Sequence, residues 1–278
     1  MDIFEHYVPT SRYLVCIDSD GCVMDTMDVK HLQCFGPLWI EIFGLQAQQP
    51  EAMQLWLTLN LYARTRGINR FQGLAKASRA MVERGAQIPD LQALETWVAQ
   101  TSELSTAALT AYCLEHPSPC LQRAILWSER VNKAIAALPQ QDEPFPLARE
   151  SLAQLCRQAD LAGVSSANSG AVNAEWARHN LQKYTRLLCC QECGTKAEII
   201  KQLLQRGYRR EYVLMVGDAE GDRKAAEQNG VHFFPILVGK ERESWQRLTQ
   251  VYFPLLISGQ FTPEIQAALN EEMNQILK

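Results

Sequence analysis

No window of the chain approaches the run of about 18 apolar residues that a bilayer-spanning helix needs, and the opening MDIFEHYVPTSRYLV lacks the basic-then-apolar order of a secretory leader. From these two absences we expect a cytoplasmic protein with no membrane partner. Positive charge is not in surplus either. The chain has 27 Lys and Arg against 31 Asp and Glu, and no segment gathers the basic residues that a nucleic-acid surface requires, so nucleic acid is not an expected partner. The nine cysteines, an odd number scattered from Cys16 to Cys193, do not make a disulfide framework. Cys189, Cys190 and Cys193 resemble part of a zinc site, but no second pair stands at suitable spacing and His179 is the only nearby histidine. Buried thiols serving as small hydrophobes are the expected outcome. Internal repeats and low-complexity tracts are missing as well.

What is present is an alternation of strands and helices. Apolar runs of strand length stand at 13–17, 161–165, 186–190, 212–216 and 231–236, each bounded by Gly, Asn, Asp or Pro. Helical patterns at 150–158, 172–179, 196–206 and 222–228 alternate with the last four runs. That order predicts an α/β fold with a doubly wound, Rossmann-like parallel sheet and ligands at the carboxyl ends of its strands. Well over a hundred residues separate the first two runs, too many for a loop in a compact domain. They read as helices at 29–43, broken at Pro37, and at 51–62, 71–83, 91–100, 103–115 and 120–138. We therefore expect a sheet domain of residues 1–24 and 146–278 and an inserted all-helical domain of residues 25–145. The stretch 138–146, with its three prolines, forms the return linker.

The first apolar run ends in Asp18-Ser19-Asp20-Gly21-Cys22, and the run before Gly217 ends in Asp218, with Asp222 four residues on. An isolated buried carboxylate costs several kcal/mol or more, so acids at strand ends call for hydrogen bonds, a cation or both. Each piece alone also serves as a turn or a helix cap. The combination says more. Asp18-Ser19-Asp20-Gly21 with the following Val23-Met24-Asp25-Thr26 resembles the nucleophile motif of the haloacid dehalogenase-like superfamily of phosphotransferases. Three further segments are similar to that superfamily in its own order. They are Val164-Ser165-Ser166-Ala167-Asn168 after the second strand, Gly194-Thr195-Lys196 opening a helix, and Gly217-Asp218 through Asp222. The helical insertion stands where the superfamily places its first (C1) type of cap. The resemblance covers the sheet domain and reaches the insertion by location only.

The resemblance implies a Mg²⁺-dependent hydrolase of a small phosphorylated metabolite. Asp18 is the nucleophile that forms an aspartyl-phosphate, and Asp20 is the acid and base. Ser166, with Ser165 as the alternative, hydrogen-bonds the transferring phosphoryl group, with Asn168 nearby. Lys196 neutralises phosphate and nucleophile from a helix start, itself a favourable place for an anion. Mg²⁺ would be held by the Asp18 carboxylate, the Asp20 carbonyl and the Asp218 carboxylate, with Asp222 acting through a water or orienting Lys196. The cap closes over such a site and excludes bulk water.

A sugar-phosphate mutase of the same superfamily shares Asp20 and stays open as an alternative. Two readings come from other classes. Ser165, Asp218 and His232 fall in the order of an α/β-hydrolase triad, although Gly163-Val164-Ser165-Ser166-Ala167 departs from GxSxG at its last residue and His232 begins an apolar strand. A non-catalytic phosphate-binding regulator would be expected to have lost a catalytic group, and none is missing. In the insertion, Arg64, Arg66 and Arg70 cluster between two helices. Arg66 and Arg70 are candidates for an anionic substrate group, set against the commoner reading of a solvated loop. Lys30 and His31, shortly after the first motif, join them.

Overall fold

The computed structural model describes residues 3–138 and 142–278, and the chain divides into two compact units, Met1–Thr26 with Asp142–Lys278 and Met27–Gln141. The first unit is built on β1 (Leu14–Ile17), β2 (Asp160–Val164), β3 (Leu187–Cys189), β4 (Val213–Gly217) and β5 (His232–Pro235). All pairs are parallel, in the order β3-β2-β1-β4-β5. β1 is buried at every position because helices cover both faces of the sheet. Its alternating side chains sort the core. Val15 and Ile17 enter one cluster with Leu152, Trp176 and Trp245, while Leu14 and Cys16 enter another with Ile199, Ile200 and Leu203. From β1 the chain builds outward through β2 to β3, then returns to lay down β4 and β5 on the other side. The reversal falls between β1 and β4, where an open α/β sheet forms its crevice.

The helices that follow these strands begin within three residues of the sequence pattern, at Ala148–Leu155, Ser169–Arg178, Lys196–Leu204 and Glu220–Asn229. The C-terminal helices, Glu241–Arg247 through Pro263–Ile276, are not among the helices expected, and they complete the first core through Trp245, Leu248 and Phe253. At the far end of the sheet from the crevice, Asp160 ties down the N-terminal segment. It accepts hydrogen bonds from the backbone N–H groups of Thr10 (2.7 Å) and Ser11 (2.9 Å), the Tyr208 hydroxyl (2.6 Å) and the Thr10 hydroxyl. Burial alone would raise this carboxyl's pKa, but the donors outweigh it and hold the pKa below the ordinary value. The resulting stability is present above the ordinary carboxylate range and is lost as pH falls through the lowered value. Asp160→Asn should cost about 2 kcal/mol at neutral pH and flatten the acid limb of the stability curve, as read by urea unfolding at a series of pH values. An acid limb as steep as the wild type's would assign that limb to other groups.

The second unit is all helical and encloses its own core around Trp39, Trp56, Trp97 and Trp127. Three of the indoles are satisfied internally: Trp39 donates to the Ser78 hydroxyl, Trp56 to His31 Nδ1 and Trp127 to the Phe35 carbonyl, each at 3.1 Å. His31 thus serves this core. The break expected at Pro37 does not occur. The chain stays helical from Met27–Lys30 through a π-helical turn, His31–Phe35, into Gly36–Phe43, and Pro37 sits in the first turn after the hydrogen-bond ladder has already shifted register. The sheet unit also reaches further along the chain than the pattern suggested, because its two connecting segments pair with each other. The Asp25 N–H donates to the Glu143 carbonyl and the Phe145 N–H to the Val23 carbonyl, both at 2.9 Å, and Met24 bridges Pro144. Of the expected return linker, Pro139, Gln140 and Gln141 lie outside the described residues. Among the described residues no helix is long and apolar enough to cross a membrane.

Candidate active site

Ile17 stands level with Val216 across the β1–β4 pair, so the next residues, Asp18 and Asp218 one further, leave the sheet side by side at its reversal point. The Asp18 N–H donates to the Val216 carbonyl at 2.9 Å, which keeps the acid in sheet register. Asp222, in the first turn of the Glu220–Asn229 helix, lies fully buried against the end of β4. Only a glycine at 217 allows this, since a Cβ there would stand 2.2 Å from the Asp222 carboxyl carbon. Lys196 is placed by a capping box. The Thr195 N–H donates to Glu198 Oε2 (2.7 Å), the Glu198 N–H donates back to Thr195 Oγ1 (3.2 Å), and Gly194 turns the chain into the helix at φ +102°.

From that helix start, Lys196 Nζ reaches Asp18 Oδ2 at 2.8 Å and also donates to Asp222 Oδ1. Carboxylate oxygens of Asp18, Asp218 and Asp222 all lie within 4.8 Å of one another. Burial and the nearness of the other acids both oppose charge on Asp18 and Asp222, while Lys196 favours it. Burial pushes the Asp18 carboxyl well above its ordinary pKa; Lys196 pulls it down and the Asp222 and Asp218 charges push it up further. Asp222 is likewise raised by burial, against the pull of Lys196. Burial also opposes charge on Lys196, but Asp18 and Asp222 outweigh it and hold the ammonium's pKa above its usual value. The lysine therefore stays protonated beside acids whose charge burial opposes.

A hard divalent cation fits this donor set. All three side chains offer oxygen, and Mg²⁺ commonly binds through one or two carboxylates while retaining waters. Both Asp222 oxygens have donors, Lys196 on Oδ1 and the Ala219 N–H on Oδ2 at 3.0 Å, which suits this acid to holding Lys196 in place. Gly217→Ala should drive Asp222 off Lys196, lower stability by about 1–3 kcal/mol and weaken divalent-cation binding in calorimetric titration. Unchanged cation affinity would separate Asp222 from the cation site.

Asp20 stands outside the carboxylate cluster. Its carboxylate accepts from the Thr26 hydroxyl across a turn in which the amides of Cys22, Val23 and Met24 all point at the Ser19 carbonyl (3.2, 2.9 and 2.9 Å) and Gly21 takes φ +81°. Of the two serines, Ser165 is buried directly after β2. Its N–H donates to the Cys189 carbonyl (2.8 Å) and its hydroxyl accepts the Ala167 N–H (3.1 Å), whereas Ser166 is exposed. The Asn168 side chain accepts the Ala171 N–H at 3.0 Å and so caps the Ser169–Arg178 helix. In the helical unit, Arg66 is buried and donates to the Leu61 carbonyl (2.9 Å), stitching its own loop, while Arg64 is exposed. Arg70 has neutral partners, Asn132 Oδ1 (2.6 Å), the Ser128 hydroxyl (3.3 Å) and the Phe35 ring, and burial lowers its pKa.

The rival triad does not assemble. His232 pairs in register with Leu214, four residues before Asp218 on β4, or about 13 Å along the strand at the usual rise. The nine cysteines are free, and among the described residues Cys189, Cys190 and Cys193 form no metal-holding group. Sequence reasoning missed two tryptophans: Trp176, whose indole N–H donates to the Ser19 hydroxyl between Asp18 and Asp20, and Trp245, whose indole N–H donates to the Cys22 carbonyl beyond them. The tryptophans carry no local signal, since their partners lie 157 and 223 residues away.

The haloacid dehalogenase-like hydrolase family matches residues 74–236, more than half of the chain and a span that includes Ser165, Lys196, Asp218 and Asp222. Among solved structures, a Bacteroides fragilis protein that carries the name haloacid dehalogenase-like hydrolase is 14% identical with a TM-score of 0.53, covering 84% of this chain and 92% of that one. A Lactobacillus delbrueckii subsp. bulgaricus protein that carries the name phosphoglycolate phosphatase is 14% identical with a TM-score of 0.52, covering 86% and 99%. A Pseudomonas syringae hydrolase is 16% identical with a TM-score of 0.51, covering 86% and 91%. At these identities the likeness is one of fold. No curated protein sequence matches the chain.

Proposed function

The chain belongs to the haloacid dehalogenase-like hydrolases, and on that premise we propose that it is a Mg²⁺-dependent phosphatase that hydrolyses a small phosphomonoester through an aspartyl-phosphate on Asp18. One observation carries the reading: a single buried ammonium, Lys196, is shared between Asp18 and Asp222 beside Asp218, at the carboxyl end of the sheet where its winding reverses.

Asp18 is held for attack from two sides, Oδ2 by Lys196 and Oδ1 by the Ser19 N–H, both at 2.8 Å. A carboxylate so fixed loses little freedom when it meets phosphorus in line, and it splits one hard displacement into two easier ones. Lys196 also offsets charge on the equatorial oxygens of the transferring group. The hydroxyl that meets those oxygens is assigned to Ser165 rather than Ser166, because the Ala167 N–H fixes its oxygen and leaves its own proton to donate. Asp20, with Thr26 on its carboxylate, protonates the leaving oxygen and then takes a proton from the water that hydrolyses the acyl phosphate. Mg²⁺, held by the carboxylates of Asp18 and Asp218 and the carbonyl of Asp20, would offset the repulsion among the crowded carboxylates and the charge of the phosphoryl group.

The test is a panel of phosphomonoesters that includes hexose 1-phosphates, followed for inorganic phosphate and for positional isomers, with acid-quenched samples mapped by mass spectrometry. Phosphate release with a phosphoryl group on the Asp18 peptide is expected. A phosphoryl group on Ser165 would reject the mechanism, and isomers forming faster than phosphate would turn the assignment into a mutase.

A further inference from the structure

We propose that Trp176 is a positioning residue for the nucleophile, acting through the Ser19 hydroxyl; this rests on the assignment of Asp18 above. The two donors that orient the Asp18 carboxylate differ in kind. Lys196 ends a long side chain, whereas the Ser19 N–H belongs to a peptide group whose direction follows from how Ser19 itself is held. Ser19 is buried, and its hydroxyl accepts the Trp176 indole N–H at 2.8 Å. A serine in a turn normally chooses among rotamers and bonds to nearby backbone groups. The indole removes that choice.

Trp176 suits the task. Its N–H is a donor only, and its ring is rigid with two side-chain torsions. The ring is fully buried in the core beneath Val15 and Ile17, where close packing leaves it no room to swing. A continuous path therefore runs from that core through Ser19 to Asp18 Oδ1. Trp176 also lies on the Ser169–Arg178 helix, which begins four residues after Ser165, so the same bond couples the Ser165 segment to the turn that carries Asp18 and Asp20.

The chain contains its own control. Trp245, equally buried, donates its indole N–H to the Cys22 carbonyl at 3.1 Å, on the part of the same turn that leads away from the Asp18 carboxylate. Replacing either tryptophan by Phe removes one indole N–H from one buried ring, and only Trp176 stands behind the group that touches Asp18.

The experiment compares Trp176→Phe, Ser19→Ala, the double variant and Trp245→Phe in the full chain, with turnover of an aryl phosphate, Mn²⁺ affinity and thermal stability read for each. In Trp176→Phe, Ser19→Ala and the double variant alike, kcat should fall roughly ten-fold with KM within about two-fold of wild type. The equal loss is the non-additivity expected of groups acting in series. Mn²⁺ binding should weaken several-fold in the same three proteins. Trp245→Phe should lose stability as Trp176→Phe does while kcat and Mn²⁺ affinity stay within about two-fold of wild type, which a role in packing alone would not separate. Losses that multiply in the double variant, or a kcat loss in Trp245→Phe as large as in Trp176→Phe, would overturn the proposal. If Trp176→Phe does not fold, Ser19→Ala decides by its kcat. If the wild type hydrolyses no phosphomonoester, the functional reading fails, and Mn²⁺ affinity decides the positioning role. Affinity weakened in Trp176→Phe and Ser19→Ala but not in Trp245→Phe supports it; equal affinity in all of them overturns it.

Discussion

Asp18→Asn should lower turnover by roughly ten-thousand-fold or more, the usual scale for removing a covalent nucleophile, without weakening the fold. The amide keeps nearly the same volume and still offers an oxygen to the Ser19 N–H; its NH2 cannot accept from Lys196, which retains Asp222. It cannot form an acyl phosphate. The fold should in fact gain. Burial raises the Asp18 carboxyl well above its ordinary pKa, helped by the Asp222 and Asp218 charges and opposed by Lys196. A carboxyl whose folded-state pKa exceeds its unfolded value costs stability once pH rises above the unfolded value, and the cost grows until the folded-state value is passed. Asparagine carries no such cost. In a chelating buffer at neutral pH, Asp18→Asn should therefore unfold at the same temperature as wild type or a higher one, and the difference should vanish below the ordinary carboxylate range. Residual turnover near the wild-type rate would remove Asp18 as nucleophile. A melting temperature lowered by several degrees would mean that the Lys196–Asp18 pair outweighs the desolvation of the acid.

Burial opposes charge in this cluster, which is why the acids that the structure brings together, Asp18, Asp218 and Asp222, stand out in the sequence. Aspartates placed directly after short apolar runs conflict with burial, and conflicts of this kind mark functional positions. The five strands were legible for the complementary reason: a strand covered on both faces reads as an unbroken apolar run, as in Leu14-Val15-Cys16-Ile17. Legibility failed where a single residue of register decides the outcome. Ser165 and Ser166 are adjacent and chemically identical, and only the end point of β2 buries one and exposes the other. It failed again where long-range packing overrides a local signal. Pro37 should break a helix, yet a π-helical turn absorbs it. Arg66 reads as solvated or ligand-binding charge, yet it is buried on a backbone carbonyl of its own loop. The tryptophans behind the Asp18 turn are the extreme case, because nothing within a few residues of Trp176 points to Ser19.

Chelation should abolish activity, and Mg²⁺ should restore it together with several degrees of thermal stability. The stability arises from the same arithmetic as the activity. Asp18, Asp218 and Asp222 crowd their carboxylate oxygens within 4.8 Å of one another, with Lys196 shared between Asp18 and Asp222, so the folded state carries a repulsion that the unfolded chain does not. A divalent cation that binds only the folded site stabilises by about 2.7 kcal/mol at a hundred times its dissociation constant. Ca²⁺, larger and content with more ligands, should stabilise without supporting comparable turnover, since a site of two carboxylates and retained waters suits the octahedral demand of Mg²⁺. The two remaining acids should then separate. Asp218→Asn removes a carboxylate oxygen assigned to the cation, so it should raise the Mg²⁺ requirement and shrink the thermal shift. Asp222→Asn leaves that oxygen in place but takes a partner from Lys196, so it should lower kcat while the Mg²⁺ requirement changes less. Thermal shift and turnover measured across a Mg²⁺ series for wild type and both variants give the answer. Full activity in excess EDTA would eliminate the cation from the reaction. A thermal shift retained in Asp218→Asn but lost in Asp222→Asn would exchange the roles of the two acids, leaving Lys196 to be oriented by Asp18 alone.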